Sequence, residues 1–341
     1  MNRSQFNSKG RRSKIKVIGW ISLALLLGLM ILWATLALTF TLPVNTLRIP
    51  IIVVYGLVSL LLPIVIRPRR YGIIGCLVLF FLVAGWFFML APSNMRDWQP
   101  DAAVLASAQI NGDMVTVRNV RFCDYRSETD FTCRYYDKTV SLADLQTVDL
   151  FLVYWGVPSI AHTMLSFGFD DGSYICFSIE TRKEKGEAYS TVKGFFRQYE
   201  QMYVVADERD VVRLRTNFRK EDVYLYRLEV SPTIVRKVFL DYLGAVNSLY
   251  NKPEWYNALT SNCTTSLRRH TVPYNPDAKF DWRLIVNGYL DELVYQRGFI
   301  VRNLPFVELK QKSYINPNAQ AMPQEKNFSL RIRQGIPGIG L

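Results

Sequence analysis

The chain has 341 residues, half of them hydrophobic, and a formal net charge of +12. That length allows one large domain or two smaller ones, but the apolar residues are unevenly placed, with three nearly continuous runs in the first hundred residues. The positive charge is spread without a dense basic block or aromatic–basic interleaving, which excludes a nucleic-acid-binding signature.

The first apolar run, 17–42, contains no charge and exceeds the roughly 20 residues that cross a bilayer. The second, 49–66, carries Pro50 and Pro63 and either spans or forms a re-entrant segment; the third, 71–91, is uninterrupted. A cleaved signal peptide is a poor fit, because the first run is too long and further runs follow it. Arg3, Lys9, Arg11, Arg12, Lys14 and Lys16 precede the first run and Arg67, Arg69 and Arg70 follow the second, whereas the intervening loop holds only Arg48. Basic loops stay in the cytoplasm. Three spans therefore give a transmembrane region over 1–92 with a basic cytoplasmic tail, and a domain over 93–341 on the other side. The assignment inverts if the second run fails to cross.

The second part reads as α+β, a small antiparallel sheet with packed helices. "MVTVRNVRF" alternates like a strand, and "SLADLQTVDLFLVYW" runs from a Ser141-capped turn into another. Two β-rich runs around Asp170-Asp171-Gly172 form a hairpin. Ser190 caps an expected helix, "STVKGFFRQYEQMY"; "MYVVADERDVVRLRT" reads as a strand pair around a charged turn, and "DVYLYRLEV" as a strand. Ser231-Pro232 starts a helix whose apolar face is Val235, Val238, Phe239, Tyr242, Leu243, Val246 and Leu249. Asp281 caps a last helix, "WRLIVNGYLDELVYQR", closed by Gly298, and the tail after Lys312 is polar.

Cysteines and histidines carry the chemistry. Cys123 and Cys133 bracket a polar hairpin tip; they are either free or, in an oxidising compartment, paired, and their spacing fits no zinc site. No paired-histidine motif or Gly-rich phosphate loop occurs, and the C-terminal "GIPGIG" lacks the strand and helix of a dinucleotide fingerprint, so neither metal nor cofactor is expected. Cys263 follows Ser261 and Asn262, either of which can cap, and so opens a helix. The helix terminus lowers a thiol's pKa and offers unpaired N–H groups to an oxyanion. His270 lies two turns along, about 10.5 Å on the axis, too far to be its base; with Arg268 and Arg269 it reads as a C-terminal capping charge. His162, on the hairpin's first strand, is the other histidine. Strand histidines are more often structural, but a helix-start cysteine complements this one as a candidate base.

With a three-residue turn, facing residues of the hairpin sum to 342; Glu180 then lies opposite His162 and can orient it. With a two-residue turn the sum is 343 and Glu180 points to the other face. Cys176 shares the face of His162 in the first register, but mid-strand it reads as a core cysteine.

The stretches "VDLFLVYWGVPSIAHTMLSFGFDDGSYICFSIETRKEKGEAYS", "YVVADERDVVRLRTNFR" and "PEWYNALTSNCTTSL" resemble the Lnb N-terminal periplasmic domain family, over roughly residues 95–335. That family is similar to circularly permuted papain-like thiol enzymes, in which a strand histidine precedes a helix-borne cysteine. Its members in Bacteroides-type bacteria are apolipoprotein N-acyltransferases with a Cys–His centre. The resemblance places Cys263 and His162 at the family cysteine and histidine. It implies a papain-like domain in the periplasm, anchored as a multi-pass protein of a bacterial inner membrane. The expected partners are the lipid bilayer, a phospholipid acyl donor, and a lipoprotein or other amine acceptor. Membrane spans follow the soluble domain in the Lnb acyltransferases and precede it here, so the resemblance covers the soluble chemistry and not the membrane arrangement. A thiol peptidase or amidase uses the same dyad, and a non-catalytic membrane scaffold would keep both residues structural.

Overall fold

In the computed structural model the described residues are 3–275, 278–321 and 327–340, with side chains from residue 14 onward. The basic side chains of Arg3, Lys9, Arg11 and Arg12, and residues 322–326 of the polar tail, lie outside that set. The three apolar runs are helices: α1 (Arg3–Thr41), α2 (Arg48–Val65) and α3 (Arg69–Met89). Each is long and apolar enough to cross a membrane. They present Leu25, Leu29, Leu57 and Phe81 outward, as a lipid-facing surface does. Pro50 falls in the first turn of α2, where its missing N–H has no helical partner, and Pro63 falls near the end, so α2 is one unbroken helix. Gly72 is required beside it: a Cβ there would sit 2.2 Å from the Leu62 carbonyl oxygen.

The chain divides into two compact units, Met1–Ala91 with Phe196–Gln198, and Pro92–Phe195 with Tyr199–Leu341. The second is built on β1 (Ser107–Asn111), β2 (Met114–Tyr125), β3 (Phe131–Ser141), β4 (Leu145–Tyr154), β5 (His162–Phe169), β6 (Tyr174–Arg182), β7 (Glu200–Ala206) and β8 (Asp222–Arg227). They form one eight-stranded sheet in the order β1-β2-β7-β6-β5-β4-β8, with β3 also paired to β2. The sheet is larger than expected, and it contains a parallel pairing, β2 with β7 at Arg121 and Ala206. The β2–β3 hairpin places Cys123 opposite Cys133, and the two are disulfide-bonded.

Helices follow as α4 (Glu208–Arg213), α5 (Pro232–Asn251), α6 (Cys263–Thr271), α7 (Leu290–Gln296), α8 (Phe306–Lys312), α9 (Asn316–Ala321) and α10 (Phe328–Arg331). The central strands are buried on both faces. Leu150, Leu165, Phe167 and Phe177 pack under Val235, Phe239 and Tyr242 of α5. Phe151, Met164, Cys176 and Val204 face Val212, Ile315, Phe328 and Ile332 on the other side.

Two local expectations fail. The helix expected from Ser190 is a single turn, Lys193–Phe195, followed by β7. Seven-residue pairing with β6 wins over any helical preference of "YEQMYVVA". The charged "ADERD" is not a hairpin turn: Asp207 accepts from the Arg209 N–H and caps α4, which passes into a π-helical turn, Leu214–Phe218. The polar tail is anchored in the core. Arg333 is fully buried; its Nε donates to Asp149 at 2.8 Å, and Nη1 and Nη2 donate to Glu208 at 2.8 and 2.7 Å.

Candidate active site

The β5–β6 hairpin takes the 342 register: Met164 faces Ser178 and Gly168 faces Tyr174. His162, Ser178 and Glu180 therefore share one face at the open end of the two strands. Ser178 Oγ donates to Glu180 Oε1 at 2.6 Å and lies 2.7 Å from His162 Nε2. Having given its only proton to the carboxylate, Ser178 accepts from the ring, so Nε2 carries a hydrogen and Nδ1 is left for the thiol. Glu180 Oε1 is also 3.2 Å from His162 Nε2 and accepts from Arg215 Nη2 at 2.8 Å.

These contacts set the protonation states. Burial alone would raise the Glu180 pKa, but the charges of His162 and Arg215 hold it well below the usual carboxylate range. Burial would lower that of His162; the Glu180 carboxylate outweighs burial and the opposing Arg215 charge, and the imidazole is raised to about 9. Burial would raise the Cys263 thiol, but the His162 charge brings it down to about 7. The backbone N–H and hydroxyl of Thr163 act in the same direction. That hydroxyl is buried and has no closer hydrogen-bond partner among the described residues.

Cys263 is half-buried and opens α6 as expected. Asn262 is the cap: its Oδ1 accepts from the Thr265 N–H at 2.9 Å, and its own N–H donates to Thr265 Oγ1 at 2.9 Å. This leaves the Cys263 and Thr264 N–H groups as first-turn donors without helical acceptors, the arrangement that stabilises an oxyanion. His270 is not a capping charge. It is buried, with Nε2 2.7 Å from the Tyr203 hydroxyl and Nδ1 3.4 Å from Asp241 Oδ2, and burial outweighs the carboxylate and lowers its pKa. Cys176 is buried within the core, and burial pushes its thiol well above the ordinary value.

Four contributors escaped sequence reasoning. Ser178 was reachable, since it lies two residues before Glu180 on the same face. Thr163 adjoins the histidine. Arg215 comes from the unforeseen π-helical turn and had no signal. Asn287 was hidden inside an expected helix that the structure breaks into two 3₁₀ turns, Trp282–Leu284 and Asn287–Tyr289, ahead of α7. Its Oδ1 accepts from the Ala161 N–H at 2.9 Å, and its Nδ2 donates to the Ala161 carbonyl at 2.5 Å and to Thr264 Oγ1 at 2.6 Å. It thereby ties the residue before His162 to the residue after Cys263. Gly288 makes the approach feasible, since a Cβ there would lie 2.0 Å from the Pro158 carbonyl oxygen. Asn287→Ala leaves the buried Ala161 N–H unpaired, at about 1–3 kcal/mol, and should also move the alkylation profile of Cys263 to higher pH. Asn287→Asp keeps the acceptor but sets a buried carboxylate oxygen against the Ala161 carbonyl in place of the Nδ2 donor, and should cost at least as much. A loss of stability with an unmoved profile would make the residue structural only.

An apolar cavity of about 160 Å³ runs along α6. Thr264, Leu267 and Thr271 form one wall, and Leu165, Val238 and Leu293 line the interior. Cys263 itself packs against the hydrophobic cluster that contributes these residues.

Residues 131–288 match the family model described as the Lnb N-terminal periplasmic domain. No curated protein and no solved structure matches the chain. The matched stretch includes His162, Thr163, Ser178, Glu180, Arg215, Asn262, Cys263, Thr264 and Asn287, every side chain from which the site above is built. With three apolar helices ahead of this domain, the chain is a membrane protein with a periplasmic domain, and that domain, over residues 131–288, is Lnb-like.

Proposed function

We propose that the protein is a thiol acyltransferase of a bacterial inner membrane, multi-pass, acting on lipid or lipoprotein substrates from the periplasm. The observation that carries an acyl substrate, over a peptide, is the apolar cavity that begins one residue after Cys263 and follows α6. A buried apolar slot beside a nucleophile suits a hydrocarbon chain and offers little to a hydrated peptide backbone.

The Cys263 thiolate attacks the ester carbonyl of a phospholipid, and the Cys263 and Thr264 N–H groups receive the developing oxyanion. Collapse breaks the C–O bond. The departing alkoxide takes the proton of the His162 imidazolium and leaves as a lysophospholipid, with the acyl group held as a thioester on Cys263. An amine, such as the N-terminus of a diacylated lipoprotein, then attacks the thioester. Neutral His162 accepts its proton, the C–S bond breaks and the thiolate returns. Glu180 keeps the ring charged, Ser178 orients it, and Arg215 holds the Glu180 carboxylate in place.

Intact-mass spectrometry of the full chain purified from its own membranes tests this. A fatty-acyl mass on Cys263 that is absent from Cys263→Ser is the expected result. Release of peptides with no acyl adduct would instead identify a thiol amidase, and an unmodified, unreactive cysteine would leave a scaffold.

A further inference from the structure

The three segments that build the site's rim carry large apolar side chains in the open. Trp155, Val157 and Ile160 lie on the loop that leads into His162, Leu259 on the loop that leads into Cys263, and Trp282 and Ile285 just ahead of Asn287. Each is about half exposed or more, Ile285 reaching 62%. Isolated exposed apolar residues are ordinary, but these are not isolated. The Gly288 N–H donates to the Ser159 carbonyl at 3.1 Å, Asn287 bonds both Ala161 and Thr264, and the Trp282 and Tyr289 rings lie 5.5 Å apart. The segments thus meet around the mouth of the candidate site. The stretches 155–160 and 257–262 contain no charged residue, and over 280–289 Asp281 and Arg283 neutralise each other at 2.9 Å.

We infer that this collar is a lipid-docking surface that enters the headgroup–acyl boundary of the bilayer and opens the site toward it. Two tryptophans, a tyrosine and aliphatic residues without unpaired charge match that boundary. Exposed Lys279, beside Phe280, suits its phosphates. The anchoring helices hold a bilayer at high effective concentration, so a shallow contact suffices where a soluble domain would need a stronger one. The inference rests on the acyl-transfer function proposed above for its purpose but not for its test. Docking lets an acyl chain pass to Cys263 without crossing water.

The test uses the full chain reconstituted in phosphatidylethanolamine–phosphatidylglycerol vesicles, with Cys263→Ser so that no acyl chemistry contributes. Ile160→Cys is labelled with an environment-sensitive fluorophore; Cys76 and Cys176 are buried, and Cys123 is bonded to Cys133. Thr129→Cys, exposed at the β2–β3 hairpin tip, is the reference. The expected result is blue-shifted emission at position 160, quenched by phospholipids bearing a doxyl group high on the acyl chain, with neither effect at 129. Emission at 160 as water-like and as unquenched as at 129 overturns the inference. Because Cys263 is absent from both samples, this outcome is separate from the acyl-adduct experiment, and either result can fail alone.

Discussion

His162→Gln should slow alkylation of Cys263 by iodoacetamide about sixfold at pH 7 and leave it equal or faster above pH 10. The wild-type thiol, at about 7, is half ionised at neutral pH. Without the imidazolium, burial returns it to at least its ordinary value near 9, where about 1% is thiolate, roughly fiftyfold less. A more basic thiolate is also intrinsically more nucleophilic, by about eightfold over two pKa units, which leaves the net factor. Crossing of the two profiles is the signature; parallel profiles would mean that His162 does not set the state of Cys263. The sign follows for each group. The thiol is held low, so its ion-pair stabilisation is lost as pH falls through about 7. The imidazole is held high, so its share is lost as pH rises through about 9. The pair is charged between these limits, which takes in the neutral range where acyl transfer should run. In the proposed transfer, loss of the proton carrier adds a further 10²–10⁴-fold.

Arg333→Met should cost the periplasmic unit about 3–5 kcal/mol. Arg333 is buried with Asp149 and Glu208, both fully or nearly fully buried. Asp149 keeps Arg227, but among the described residues Glu208 keeps only the Ser166 hydroxyl, which donates to it at 2.5 Å. A buried carboxylate left with one neutral donor is the costly outcome, because its desolvation remains and its charge partner is gone. Thermal unfolding of the full chain in detergent, followed by tryptophan fluorescence, should show the loss. Adding Glu208→Gln to Arg333→Met should recover part of it by removing the orphaned charge. A single-variant cost below about 1 kcal/mol would mean that water reaches the cluster and the tail is not anchored by it.

The same cluster marks a limit of reading along the chain. Arg333 sits in a tail with scattered proline and glycine, and nothing local distinguishes it from a surface arginine; its partners lie 184 and 125 residues away. Asn287 is the parallel case in the candidate site, since its value lies in reaching Ala161 and Thr264 at once.

Local chemistry determined the rest. Apolar length marked the three helices long enough to cross a membrane, and Ser231-Pro232 with its periodic face marked α5. A cap at Ser261 or Asn262 put Cys263 on a helix start, and helical rise excluded His270 as its base. Each of these depends on residues within a turn or two, where backbone geometry is periodic and side-chain directions follow from spacing. Tertiary structure decided the hairpin register that gives Glu180 to His162, the strand fate of 200–206, and the entry of Arg215, Ser178 and Asn287 into the site. Those outcomes depend on which strand pairs with which and on charges that meet only after burial, and burial is a property of the whole fold.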